Sequence, residues 1–430
     1  MAKFIIEGNH PISGVVRTSG NKNAALPILC ASVMADGDVW IRNVPRIGDV
    51  ATLVALLENM GVRFARQGDY DLLPIPSGLM DRPLDPGLCR MVRGSVLLAV
   101  PMLHRFGRVD LPFPGGDKIG RRRIDTHLMA LEAMGARISA GPSSVIISAP
   151  RDGLQGADIL LDEASVTATE NAVMGAALAR GASVIRNAAC EPHVQELCRF
   201  LNQLGADISG IGTNAIRVNG VRSLARGSQE ATLGPDYLEA ASLMALAVIT
   251  GGELTIQGVV SEDMRMILFQ FRRLGMAAEM RGDDLYVPAR QPRRVQRDFR
   301  GAVPTVASST WPSFPADLTS IALVAATQME GSVMIHEKMF ESRLFFVDQL
   351  LDMGAQVVLC DPHRAVAVGP SALHGSRMHS PDIRAGMALL AAALAARGES
   401  VIENVTQIDR GYERIDERLR LLGAKIEKGD

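Results

Sequence analysis

An aspartate stands inside a run of cations at LPFPGGDKIGRRRIDTHL, where Asp117 is followed by Lys118, Arg121, Arg122 and Arg123. Guanidinium groups bind phosphates and carboxylates bidentately, so this density of arginine suits small anions. A carboxylic acid among cations ordinarily gives up its proton. A dianionic ligand that fills the cluster reverses that balance and lets Asp117 hold a proton and deliver it. Gly115, Gly116 and Gly120 leave the segment little side-chain cover and permit it to move. The same run also reads as a hairpin tip whose charges face water.

Other residues carry related chemistry. VRTSGNKNAALP sets Lys22 and Asn23 between a strand and a helix. An asparagine there serves as a helix cap, and a lysine beside a helix N-terminus serves as an anion site. The spacing is not that of a P-loop, which argues against a nucleoside triphosphate. Arginines recur at equivalent junctions further on: Arg93 in MVRGS, Arg343 in FESRLFF, Arg384 in SPDIRAG and Arg410 in IDRGYERI. Asp317 follows Pro315 in WPSFPADLTS at a predicted helix start, where a carboxylate is either an N-cap or a catalytic base. The eight histidines show no HExxH or paired spacing, and no acidic cluster suits a divalent cation. The expected chemistry therefore uses anionic substrates with no metal and no cofactor.

Composition excludes several classes. Lys plus Arg number 45 against 47 Asp plus Glu, a formal net charge of −2, so there is no surplus field for nucleic acid. The five cysteines, Cys30, Cys89, Cys190, Cys198 and Cys360, are odd in number and contain no CxxC. They read as reduced thiols in a cytoplasmic protein. MAKFIIEGNHP has no signal-peptide character. The longest apolar run, Met387 to Ala396, is about half the length that spans a bilayer, so a buried helix and no membrane partner are expected.

These residues sit on a repeated scaffold. A phrase that ends a helix in glycine and resumes as a strand recurs at Gly61, Gly135, Gly205, Gly275, Gly354 and Gly423, about 70 residues apart. Each is preceded by a second glycine that opens an alternating strand, at Gly37, Gly107, Gly181, Gly252, Gly331 and Gly398. Glycines at such junctions are expected to have positive φ. Six units fit two α/β lobes of three repeats each. AALPILCASVMA and MALLAAALAARG are apolar most of the way round, so helices should lie inside and sheets outside, with function at the cleft between lobes. Either each lobe holds three small sheets, or it holds one continuous doubly wound sheet.

SGNKNAALP, PGGDKIG, SVTATEN, FPAD, FESR, DIRAG and IDRGYERI occur together in this order across the whole chain. In this combination the sequence resembles the enolpyruvyl transferase family, and within it the nucleotide-sugar branch. The resemblance implies a two-lobed inside-out α/β barrel, with residues 22–233 as one lobe and residues 1–21 plus 234–430 as the other. It implies phosphoenolpyruvate and UDP-N-acetylglucosamine as substrates and release of phosphate. Lys22, Arg93, Arg122 and Arg410 then match a phosphate and carboxylate clamp, with Arg343 and Arg384 close to phosphoenolpyruvate. Asn23 and Asp317 match residues touching the sugar, Asp317 taking its hydroxyl proton. Arg122, Asp125, His127, Ser165 and Val166 match the uridine-diphosphate side. Most members of the family carry cysteine where this chain has Asp117, so the thiol target of fosfomycin is absent and insensitivity to that epoxide is expected. Three further positions depart from the pattern: Glu163 and Thr167 stand where lysine and glycine are common, and Tyr237 where arginine or histidine is. The alternatives are transfer to a UMP-like nucleotide or to shikimate 3-phosphate, or a non-catalytic UDP-sugar sensor. The sensor would keep the cation clamp without the acid and base, yet both aspartates are present.

Overall fold

The structure is a computed structural model describing residues 2–224 and 229–429. The fold is α/β, and the chain divides into two compact units. An N-terminal unit comprises Gly20–Gly116 and Arg122–Gly234, and a C-terminal unit comprises Met1–Ser19, Asp117–Arg121 and Pro235–Asp430. The five residues Asp117–Arg121 thus pack with the C-terminal unit, although the segments flanking them in the chain belong to the other.

Each unit holds three small separate sheets, not one continuous sheet. In the N-terminal unit these are built on Val39–Arg42, Ser144–Ser148 and Ala182–Arg186; in the C-terminal unit they are built on Lys3–Glu7, Leu254–Gln257 and Gly331–His336. Each four-stranded sheet has one parallel pairing, and three of these flank a buried helix in a direct strand–helix–strand run. Asp158–Leu160, the helix Val166–Ala177 and Ala182–Arg186 form one such run. The other two parallel partners come from far away in sequence. Gly14–Arg17 pairs with Leu254–Gln257, and Gln229–Thr232 pairs with Val39–Arg42.

Helices apolar on all faces must be enclosed. Lys22–Ser32 buries every residue except Asn23, Thr319–Thr327 buries all nine, and Ile383–Ala395 buries all but its last. Strands such as Glu399–Glu403 and Ala182–Arg186 instead alternate buried and less buried positions, so one face of each sheet covers the helices. Two hydrophobic cores result, one centred on Lys22–Ser32 and Val166–Ala177, the other on Tyr237–Thr250, Thr319–Thr327 and Ile383–Ala395.

The six glycines that end the repeated phrase all have φ between 88° and 100°. Of the strand-opening set, Gly252 does not have the positive φ that the repeat suggests. Gly252 answers a different need, since a Cβ there would lie 1.8 Å from the Ile12 carbonyl oxygen. None of the five cysteines is in a disulfide.

Candidate active site

In the N-terminal unit, Asn21 takes extended geometry and its side-chain oxygen accepts from the Asn23 and Ala24 amides at 2.9 and 3.3 Å. Asn21 is therefore the cap, and Lys22 becomes the first helical residue. The Lys22 ammonium lies 2.8 Å from Asp49, and both side chains are more than nine-tenths buried. Asp49 was not singled out in the sequence because an acid in a first helical turn, here that of Gly48–Asn59, looks like ordinary dipole matching.

Arg93 opens the 3₁₀ turn Arg93–Leu98, which lies against the same helix where Gly94 meets Leu26. Its Nη2 donates to the Arg123 carbonyl at 2.6 Å. Burial and then the charge of Arg122 pull the Arg93 pKa down to about 10, against the opposing effect of Glu163. Two guanidinium groups that disfavour one another mark a place short of negative charge.

Asp125 is exposed at the start of the helix Asp125–Ala133, whereas His127, two residues on and facing the other way, is buried. Asn171 Nδ2 donates to the Val96 carbonyl at 3.0 Å and lies 2.9 Å from His127 Nδ1. The nitrogen Nδ1 is therefore the acceptor, and Nε2 carries the proton and donates to Thr167 Oγ1 at 3.1 Å. Burial, and then Arg93, push the His127 pKa down to about 3, so the ring is neutral at physiological pH. Ser165 caps the helix beginning at Val166, accepting from the Ala168 amide at 3.4 Å. Glu163 is exposed and lies 3.7 Å from Arg123, which also holds Asp162 at 2.7 Å. Tyr237, in the C-terminal unit, is buried with its ring 5.7 Å from that of Trp311.

The C-terminal unit gathers the two aspartates. Pro315 precedes the short turn Ala316–Leu318 and no side chain caps it, so Asp317 is not an N-cap. Its carboxylate is instead held on both oxygens. Oδ1 accepts from Arg343 Nη2 at 2.9 Å, and Oδ2 accepts from Arg384 Nε and Nη2 at 3.1 and 3.0 Å. Arg343 is only 2% exposed, yet its Nε and Nη1 have no hydrogen-bond partner among the described residues. Buried donors without an acceptor are costly, and a bound anion would supply the acceptors they lack. Arg384 is the second residue of the helix Ile383–Ala395, capped by Asp382, and its Nη1 donates to the Tyr412 hydroxyl at 3.1 Å. Burial works against the Arg384 charge, but Asp317, Tyr412 and Asp236 outweigh it and hold its pKa well above the ordinary guanidinium value.

Asp117 Oδ1 accepts from Arg410 Nη1 at 2.7 Å, and the same nitrogen donates to Gln407 at 2.7 Å. Burial raises the Asp382 pKa; Arg343 lowers it and Asp117 raises it further. Asp117, Asp382 and Arg343 therefore share one electrostatic neighbourhood. Each unit thus concentrates cations around buried or half-buried polar groups, and the C-terminal one pairs two carboxylates with three arginines. Among the described residues, no group of three or more His, Cys, Asp or Glu is placed to hold a metal ion.

Small sheets cover buried helices in each unit, and the C-terminal unit brackets two aspartates with arginines, groups suited to binding small anions. The chain belongs to the EPSP synthase (3-phosphoshikimate 1-carboxyvinyltransferase) family, whose profile matches residues 6–419. It is 51% identical over 426 residues to the UDP-N-acetylglucosamine 1-carboxyvinyltransferase of Bradyrhizobium diazoefficiens, covering 99% of this chain and 98% of that one. It is 48% identical over 428 residues to the enzyme of the same name from Treponema denticola, covering 99% of each. Among solved structures, the enolpyruvyl transferase NikO from Streptomyces tendae superposes with a TM-score of 0.87 at 24% identity, over 99% of this chain and 98% of that one. An EPSP synthase from Acinetobacter baumannii gives 0.74 at 18% identity over the full length of both. These two structures share the fold. No helix among the described residues is long and apolar enough to cross a membrane.

Proposed function

We propose that the protein transfers the enolpyruvyl group of phosphoenolpyruvate to the 3′-hydroxyl of UDP-N-acetylglucosamine, releasing phosphate, as the committing step of peptidoglycan precursor synthesis in the cytoplasm. The observation that carries this reading is likeness over the whole chain, near 50% identity, to enzymes bearing that name. In the same reading, the three small sheets and enclosed helices of each unit are three repeats of an inside-out barrel.

The reaction adds and then removes one proton. The sugar oxygen forms a bond to C2 of phosphoenolpyruvate, its own proton leaves, and C3 gains a proton. The tetrahedral intermediate then loses phosphate from C2 and a proton from C3, leaving the enol ether. Asp317 takes the hydroxyl proton, since two arginines fix both of its oxygens and with them its orientation. Asp117 gives the proton to C3. A phosphate that engages Arg410 draws that guanidinium away from the carboxyl and frees Asp117 to face C3. Lys22, Arg93, Arg122 and Arg410 take the phosphate and carboxylate groups. The buried donors of Arg343, with Arg384, offset charge that grows as the intermediate forms. Asn23 meets the sugar, and Arg122, Asp125, His127, Ser165 and Val166 recognise the uridine diphosphate.

Asp117 also makes a pharmacological prediction. A carboxylate is a weaker nucleophile toward an epoxide than a thiolate is, so turnover should persist at fosfomycin doses that inactivate a cysteine-bearing enzyme. Mass spectrometry after incubation reads this directly: an unmodified Asp117 peptide is expected, and a stoichiometric adduct there speaks against the reading.

A further inference from the structure

The segment bearing Asp117 is held by a second carboxylate that takes no part in the proton transfers. Glu341 Oε1 accepts the Arg121 backbone amide at 2.8 Å, and the neighbouring Ser342 amide donates to the Ile119 carbonyl at 3.0 Å. The Glu341 carboxylate approaches Gly120 closely, and the φ of that glycine is 133°. A Cβ at Gly120 would sit 2.3 Å from Glu341 Oε2, so no larger residue permits this approach. The hydrogen bond from the Arg121 amide also favours the ionised acid, lowering the Glu341 pKa.

The support for Glu341 is itself braced. Glu337 is fully buried; its Oε1 accepts from the Met339 and Phe340 amides at 2.8 and 3.2 Å, and its Oε2 accepts the Thr319 hydroxyl at 2.7 Å. Thr319 is two residues after Asp317, and Arg343 is two residues after Glu341. One short stretch, from Glu337 to Arg343, therefore fixes the Asp317 clamp and grips the Asp117 segment together. Asp117, at the other end of the five-residue segment, reaches Arg410.

We infer that Glu341 is a positioning residue, a catch that docks Ile119–Arg121 and thereby holds Asp117 in register with Arg410 for its proton transfer. This rests on the enolpyruvyl-transfer reading for its effect on turnover, while the docking itself is read without substrates. A carboxylate suits the task because it accepts from a main-chain amide at the tip without adding bulk over the glycine. Glutamine keeps the acceptor oxygen, whereas alanine removes it.

The test measures two things on the full-length protein. Trypsin cleavage after Lys118 and Arg121, without substrates, reports how often the segment leaves its dock, and steady-state kinetics report turnover. Glu341→Ala should speed cleavage at those bonds severalfold and lower kcat on the order of tenfold to a hundredfold, the cost of misplacing a reacting group by about an ångström. The KM for each substrate should stay within about twofold, since an interaction that matters only in the transition state is the one lost. Glu341→Gln should restore both readouts toward wild type. Gly120→Ala approaches the same contact from the other side and should behave like Glu341→Ala. Unchanged cleavage in Glu341→Ala overturns the catch, as does a fall in kcat that glutamine fails to rescue. Faster cleavage in Glu341→Ala supports the catch even for a protein found to catalyse some other transfer.

Discussion

In the proposed reaction two aspartates carry most of the chemical weight. Asp317 and Asp117 differ in how they are held, one by two arginines on both oxygens and the other by a single arginine on one oxygen. The tighter grip suits a base whose direction must not change; the looser one suits an acid whose partner must turn to a substrate. Asp117→Ala should therefore depress kcat by about 10²- to 10⁴-fold, the usual worth of a positioned acid, with substrate affinity little altered. Unchanged turnover removes Asp117 from the reaction. His127 makes a different kind of prediction. Its pKa falls from the ordinary 6.5 to about 3 in the folded protein, so below pH 6.5 the unfolded chain takes up a proton that the folded one refuses. The folded state then loses stability as pH falls from 6.5 toward 3, and the loss is absent above 6.5. Urea midpoints measured across that range should fall less steeply in His127→Gln than in wild type.

At the scale of elements, caps and clamps decide where those side chains stand. Asn21→Ala removes the acceptor for two amides and should cost roughly 0.5–2 kcal/mol, read as a lower urea midpoint at constant slope. Much of this scale was legible in the sequence. Glycine at a helix end leaves a strong mark because no other residue takes positive φ cheaply, and all six such positions have it. Apolar helices without a polar face announced their own burial. Partners remote in sequence left no such mark. Asp49 for Lys22, Arg384 for Asp317 and Glu341 for Gly120 are brought together only by the packing of whole elements. The exchange of Gly14–Arg17 and Gln229–Thr232 between sheets is equally silent, since strand pairing is decided by neighbours hundreds of residues away. Asp317 was ambiguous for a local reason: proline followed by an acid is also the pattern of a cap, and only the arginines tell the two apart.

For the whole molecule, charge is nearly balanced while cations are concentrated at a few places, so attraction for anionic substrates is local. Added salt should raise the KM for phosphoenolpyruvate by screening exposed charge but leave kcat nearly constant, because the buried guanidinium groups of Arg343 and Arg384 are shielded from ions. The family is settled by likeness over the full length, and the acceptor is the part that chemistry must establish. Phosphate release from phosphoenolpyruvate, measured in parallel with UDP-N-acetylglucosamine, UMP and shikimate 3-phosphate, addresses this directly. Release with UDP-N-acetylglucosamine alone, accompanied by an enolpyruvyl ether at the sugar 3′-oxygen, is the expected result. Release with either of the other acceptors and none with UDP-N-acetylglucosamine would contradict it.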